Sequence, residues 1–397
     1  MSILDDIILS EIPEMPLIVV SNPVSGDRTA VNLTTERILP LLASHNIVPH
    51  KVAVTEHVGH AGTLLLSYID SLAPSTCADG ITLVLVSGDG TLHEIVNALH
   101  SARGKREDPF PALRIVLIPG GTANAMHSSF FPPSSSPTAS SAAEPTLLAS
   151  LLSFLSVTPR LVPLTLAYTR ISPPVSPNND RPDRGPASVS GSNGSGGGSD
   201  IVSVVVTSTA LHAAILYDSE ALRASVPGIE RFKLAAAQNA TTWYRARVRL
   251  LGPVQRYDVT ADAFIPVDER EEPFELQGPF AYFLSTVNVD RLEPLFRIAP
   301  LQRAMPPPPG ALTMDVLAVR PLRDPSLEGK AGEEERERYK DRIWSAINGA
   351  YEDGAHVRAR YDTQDGNANG PPIIEYFRVK GWEWVPVRLP FGHVIIV

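Results

Sequence analysis

Residues Val84–Leu99 read V-L-V-S-G-D-G-T-L-H-E-I-V-N-A-L. They continue an apolar run that begins at Ile81. That run is short, bounded and rich in β-branched side chains, the pattern of a buried strand. It stops at Ser87-Gly88-Asp89-Gly90. From Thr91 the spacing becomes helical, with Leu92, Ile95, Val96 and Leu99 on one face. A strand, a turn with two glycines and a helix start bring backbone N–H groups to a phosphate, because glycine allows close approach and the helix N-terminus favours negative charge. Asp89 is out of place in a passive anion site. A carboxylate between two such glycines repels phosphate unless it binds a metal ion or takes a proton, which points to phosphoryl transfer.

Outward from this stretch the same unit recurs. Leu17–Val20 is a strand ending in the turn-rich Ser21-Asn22-Pro23-Val24-Ser25-Gly26, and Thr29–Ser44 has helical spacing. Lys51–Val54 is a strand ending in Thr55-Glu56-His57, followed by a helix over Val58–Ala73. Arg114–Ile118 is a strand ending in Pro119-Gly120-Gly121-Thr122-Ala123-Asn124-Ala125. Four strand–loop–helix units in a row predict a parallel sheet with helices on both faces. Ligands of such sheets sit beyond the carboxyl ends of the strands, so the four loops should converge on one site.

After a Ser/Pro/Ala-rich loop (Phe131–Pro145) and a short helix (Leu147–Val157), the pattern changes. Strand-like runs recur at Arg160–Tyr168, Ile201–Ser208, Arg245–Leu251, Arg256–Phe264, Phe280–Val287, Ala311–Val319, Ala355–Tyr361, Ile373–Val379 and Val394–Val397, with few helices between them. This predicts a β-sandwich or barrel-like second domain. Ser172–Asp200 is low-complexity and cannot bury enough apolar surface to order itself. The expected division is an α/β domain over 1–158 and a β-rich domain over 159–397 with a disordered insert at 172–200.

Bulk properties narrow the function. At 397 residues and 43% hydrophobic the chain can hold two cores. A net charge of −9 argues against broad nucleic-acid binding. The single cysteine, Cys77, cannot form an internal disulfide and fits a reducing compartment. Met1–Glu14 lacks a basic segment and makes a poor signal peptide. No apolar stretch approaches the ~20 residues of a membrane span. The expected location is cytoplasmic, with peripheral membrane contact.

The four loops together resemble the lipid-kinase superfamily that includes diacylglycerol, sphingosine and ceramide kinases, whose nucleotide domain is shared with NAD kinases and phosphofructokinases. The match rests on Asn22–Gly26, Thr55–Ala61, Ser87–Leu99 and Pro119–Ala125, in that order and spacing. A weaker fifth stretch is Asp218-Ser219-Glu220-Ala221-Leu222-Arg223, with Arg231 after it. The resemblance implies an N-terminal NAD kinase-like, Rossmann-like α/β domain with a C-terminal β-sandwich. It implies ATP and Mg²⁺ in the cleft and a sphingoid-base or diacylglycerol-type lipid held by the second domain. Two departures stand out. The acidic position that reads the amino-alcohol head group in sphingosine kinases falls at Leu216. The Asp-Gly-Glu turn before the last strand is Lys380-Gly381-Trp382.

Asp89 is the candidate catalytic residue, as general base toward a lipid hydroxyl or as organiser of Mg²⁺; the alternative is a turn Asp capping the helix that starts at Thr91. Gly88, Gly90, Gly120, Gly121 and Thr122 are candidate phosphate contacts through backbone N–H groups and one hydroxyl, or ordinary tight turns. On the family's pattern Asn22, Ser25, Thr55, Ser87, Thr91 and Asn124 line the nucleotide site. For Asn22 the alternative is an Asx-turn before Pro23. Arg223 and Arg231 would clamp the β- and γ-phosphates, or else be surface or structural ion pairs. Glu94 would support the loop or the metal. Trp382 and Trp384 face lipid or, more simply, pack the β-rich core. Two other functions share these features: an NAD kinase-like activity, and a catalytically silent lipid- or nucleotide-binding protein on the same fold.

Overall fold

The computed structural model describes residues 16–106, 108–133, 147–171, 200–226, 228–267, 274–362 and 370–387. The first 15 residues, nearly all of the low-complexity insert and the strand expected at Val394–Val397 lie outside the described residues.

The N-terminal third is the expected parallel sheet. β1 (Leu17–Ser21), β2 (Lys51–Val54), β3 (Ile81–Ser87) and β4 (Leu113–Pro119) pair in the order β2-β1-β3-β4, all parallel. Every residue of β1 and β3 is buried, which is why both read as unbroken apolar runs. Their side chains alternate between two cores. Ile18, Val20, Leu83 and Leu85 face α3 (His60–Ser71) and α4 (Asp89–Arg103), meeting Ala61, Leu65, Leu92 and Ile95. Val19, Val84 and Val86 face the opposite way. There they meet Ala30, Ile38, Leu42 and Leu151 from the helical run α1 (Ala30–Leu33), a π-helical segment (Thr34–Ile38), α2 (Leu39–Ser44), and from α6 (Ala149–Phe154). The short α5 (Ala125–Phe130) follows β4.

Register brings the strand ends level. Ser21 pairs with Val54 and with Val86, and Ser87 pairs with Pro119. The loops after all four strands therefore leave one edge of the sheet.

The rest is built on antiparallel sheets. β5 (Ala167–Arg170) and β6 (Asp200–Ser203) pair antiparallel. Six strands run in the order β10 (Ala263–Pro266), β9 (Gln255–Asp258), β14 (Glu375–Val379), β13 (Met314–Val319), β12 (Tyr282–Thr286), β7 (Val206–Thr209); three more run β11 (Phe274–Gln277), β8 (Ala246–Leu251), β15 (Gly381–Pro386). One face of the six-stranded sheet, with Phe283, Val316, Ala318, Phe377 and Val379, packs on Val248, Leu250 and Leu276 of the three-stranded sheet, which makes the sandwich. The other face packs under helices, with Leu284, Leu317 and Tyr376 meeting Leu211 of α7 (Ala210–Ala221) and Tyr339 and Ile343 of α10 (Glu333–Asn348). Trp382 and Trp384 sit in the sandwich core, 5.0 Å from Phe283 and 5.1 Å from Phe280, so the packing reading holds for both. α8 (Glu230–Asn239) packs beside α7, and α9 (Leu301–Ala304) precedes β13.

Several readings of local structure change. Ala355–Tyr361 is not a strand; it begins with a 3₁₀ turn over Ala355–Arg358. Arg256–Phe264 is not one strand but two, β9 and β10, paired antiparallel on either side of a turn at 259–262. Of Arg160–Tyr168 only Ala167 and Tyr168 are in a strand, the start of β5. The run Ile201–Ser208 is two strands, β6 and β7, with a jog at Val204–Val205. β6 belongs with the first core: Val202 and Val204 are buried among side chains of α3, α4 and the parallel sheet.

Candidate active site

The loops do converge, and glycine makes it possible. Gly26 has φ +46°, and a Cβ there would lie 2.5 Å from the Gly120 carbonyl oxygen. A Cβ on Gly121 would lie 2.5 Å from the Gly88 Cα. The loops after β1, β3 and β4 thus touch backbone to backbone, closer than any side chain allows.

Polar contacts complete the lattice. The Ser25 hydroxyl accepts from the Gly88 N–H at 3.1 Å. The Asn22 side-chain amide donates to the Thr91 hydroxyl at 2.9 Å, and its Oδ1 accepts from the Val24 N–H in the Asx-turn. The Ser87 hydroxyl donates to Thr91 Oγ1 at 2.5 Å. Thr55 is buried, and its N–H donates to the Ser21 carbonyl. Glu94 accepts from the Gly59 N–H at 2.9 Å at the start of α3, so it braces the Thr55 loop.

Asp89 sits in the middle. It is the first residue of α4, whose N-cap position is Gly88. Its Oδ2 accepts from the Ala125 N–H at 2.7 Å and its Oδ1 from the Met126 N–H at 3.0 Å, the first amides of α5. Burial lifts this carboxyl above the ordinary aspartate range, against the opposing pull of the Met126, Ala125 and its own backbone N–H groups. Among the described residues it has no ion-pair partner. Beside it lies a crevice of about 10 Å³ lined by Ser87, Gly88, Leu92, Leu117, Asn124 and His127 among others, room for no more than about one water.

Several predicted contacts are placed differently. The N–H groups of Gly88, Gly120 and Gly121 are used inside the lattice, by Ser25 Oγ, the Ser87 carbonyl and Asn124 Oδ1, so they are not free donors for a phosphate. Gly90 and Thr122 are exposed. The Asn124 side chain is held at both ends by Gly121, at 2.8 Å each way. Arg223 is exposed and paired with Glu220 at 2.8 Å. Arg231 is buried, with its guanidinium 4.6 Å from the centre of the Phe232 ring. No hydrogen bond or ion pair joins either arginine to the loops among the described residues. Lys380 lies against Gly252 and bonds Leu251 through its N–H, in the β-rich part.

Sequence reasoning missed three residues here. Asn97 of α4 donates to the Val202 carbonyl and accepts from the Val202 N–H, both at 2.8 Å, which ties α4 to β6. His127 is buried with Nε2 unpartnered and is pushed down to about 4 by burial. Ser129 joins α5 to Asp290. The only signal of these was polarity at apolar-spaced positions.

Residues 16–149 match the family described as the diacylglycerol kinase catalytic domain. This segment belongs to the diacylglycerol kinase catalytic-domain superfamily. The four loops all lie inside it. Sphingosine kinase 1 of Rattus norvegicus is 33% identical over 119 residues, 28% of this chain and 27% of that protein. Sphingosine kinase 1 of Arabidopsis thaliana is 35% identical over 119 residues, 30% of this chain and 22% of that protein. The chain thus matches about a quarter of the length of these curated relatives. A crystal structure of a putative diacylglycerol kinase from Bacillus anthracis str. Sterne aligns over 94% of this chain and 86% of its own, at 14% identity and a TM-score of 0.46. No described helix is long and apolar enough to cross a membrane.

Proposed function

We propose that the chain is an ATP-dependent lipid kinase that transfers the γ-phosphate to a hydroxyl of a sphingoid-base or diacylglycerol-type lipid. The observation that carries this reading is the Asp89 carboxylate, fixed by two amides where glycine-rich strand ends meet. A carboxylate has about four lone-pair directions. Two are taken by Ala125 and Met126, so Asp89 keeps capacity to accept a hydroxyl proton. In the step proposed, Asp89 takes that proton, the hydroxyl oxygen bonds to the γ-phosphorus, and the bond to the β-phosphate oxygen breaks to release ADP. A raised carboxyl suits a base, since proton affinity rises with it.

ATP is a substrate in this reading. The small residues of the loops suit close approach of phosphate oxygens, and the exposed Gly90 and Thr122 are the members left to meet them. Mg²⁺ fits less directly. No group of three or more His, Cys, Asp or Glu side chains that could hold a metal occurs among the described residues. An ion would rest mainly on the triphosphate. The proposed division of labour is nucleotide on 1–158 and lipid on 159–397. Val157, Leu161, Tyr168 and Ile171 expose large apolar side chains, which favours peripheral contact with a lipid surface.

A second reading, binding without turnover, is favoured by the crevice beside Asp89, which has room for no more than about one water. Incubation of the full chain with radiolabelled ATP and a panel of lipids decides between them. Labelled lipid is expected, with Asp89→Asn reducing its formation by about 10²-fold or more. ADP release that never depends on lipid, or NADP formation in a parallel assay, overturns the proposal.

A further inference from the structure

α5 is gripped at both ends. Its first two N–H groups hold the Asp89 carboxylate. Its last turn is held by a cluster from the β-rich half, across more than 150 positions of sequence. The Ser129 hydroxyl accepts from the Asp290 N–H at 3.2 Å, and the Ser129 carbonyl accepts from Arg303. The Asp290 carboxylate is buried and meets three guanidinium groups, those of Arg291 at 3.3 Å, Arg297 at 3.1 Å and Arg303 at 3.7 Å. Arg297 is anchored in turn by Asp353 at 2.9 Å. Five of the six residues of α5, Ala125 to Ser129, are buried, so the helix moves as a block or not at all.

A helix this short has little stability of its own; tertiary contacts set where it lies. A buried carboxylate with three arginines is costly to break, since removing one partner strips charge compensation in a low-dielectric setting. The anchor at the far end of α5 is therefore stiffer than the helix it holds.

We propose that Ser129 and Arg303 are positioning residues for Asp89: they clamp the last turn of α5 to Asp290 and so fix the two amides that aim the carboxylate. They touch neither substrate nor reacting atoms. The proposal makes the β-rich half, through one helix turn, a determinant of geometry at the strand-end loops. It rests on the kinase reading only for its consequence in turnover; the mechanical claim stands without it.

The test reads the amides directly. Backbone hydrogen exchange of the full chain is compared for wild type, Ser129→Ala, Arg303→Met and Arg303→Lys, with Val84 and Leu85 of β3 as internal references. Ser129→Ala changes no charge, so it separates anchoring from electrostatics. Exchange at Ala125 and Met126 is expected to quicken about tenfold in Ser129→Ala and Arg303→Met while the β3 amides keep their rates. Arg303→Lys, which keeps one donor, is expected to restore part of the protection. Unchanged exchange at Ala125 and Met126 overturns the proposal, and so does an equal rise in β3, which is general destabilisation. If the chain phosphorylates lipid, the same two variants lower kcat several-fold with KM for ATP held. If it phosphorylates nothing, the exchange result still stands and only the kinase reading fails.

Discussion

At the scale of the residue, the strand-end glycines separate into two kinds, and substitution tells them apart. Gly121 is structural: a Cβ there meets the Gly88 Cα at 2.5 Å and Asn124 Oδ1 at 2.9 Å, and backbone on one side cannot yield. Gly121→Ala should lower stability by about 1–3 kcal/mol, the usual penalty of overpacking, seen as a lower urea midpoint. Gly90 is different. It lies in the first turn of α4 and nothing stands within 4 Å of where its Cβ would be. Gly90→Ala should leave stability unchanged or raise it by up to about 1 kcal/mol, since alanine is the better helix former. If a phosphate approaches there, the same variant raises KM for ATP several-fold. A stable variant with unaltered KM would remove Gly90 from the nucleotide site. Asp89 adds a pH signature. Its carboxyl is raised by burial, and a base works only when deprotonated. The acid limb of kcat/KM should therefore fall above the ordinary aspartate value of about 3.9, and Asp89→Asn should abolish the limb together with the rate.

At the scale of the element, α4 is the part that connects. Its first residue is Asp89, its first two turns cover the parallel sheet, and Asn97 in its third turn pairs both ways with the backbone of Val202. That amide imitates one rung of a β-ladder, satisfying a donor and an acceptor at once. Asn97→Leu should cost about 2–4 kcal/mol, because both Val202 groups lose their partners, and Asn97→Asp should recover only the acceptor half. Thermal unfolding of the three proteins checks the order. The elements around the site were legible because their signals are local. β3 is a bounded β-branched run, the turn Ser87–Gly90 breaks it, and α4 shows its apolar stripe within two turns. The loops' convergence followed from parallel topology. What could not be read was who spends which hydrogen bond. The N–H groups of Gly88, Gly120 and Gly121 look free in sequence, yet Ser25, Ser87 and Asn124 consume them. The grip of Ala125 and Met126 on Asp89 spans 36 and 37 positions, and no local pattern encodes a contact of that range.

At the scale of the whole molecule, the β-rich half was legible as a class and not in detail. Strand-like runs marked β8, β12 and β13, but Ala355–Tyr361 imitates a strand while serving as a turn against α10. Its reason is His356, buried with Nε2 bonded to the Ile298 carbonyl at 2.8 Å, a tertiary constraint that outweighs β-propensity. His356 is one of three histidines that burial pushes down to about 4, with His127 on α5 and His212 on α7. They are spread over both halves, so their effect belongs to the fold as a unit. Above about pH 6.5 each is neutral folded or unfolded, and none contributes a pH dependence. As pH falls from about 6.5 toward 4, the unfolded chain takes up protons that the folded chain refuses. Stability is therefore full above that window and lost through it, at up to about 1.4 kcal/mol per pH unit for each histidine. Three together make the fold acid-sensitive well above the range where most carboxylates titrate. Urea midpoints measured from pH 7.5 down to 4.5 should fall steeply below about 6.5. His127→Gln should flatten the slope by about a third, since the Nε2 of His127 has no partner to lose. A midpoint that stays level down to pH 5 would mean that these rings protonate in place, and that burial at α5, α7 and the 3₁₀ turn leaves water a path to each of them.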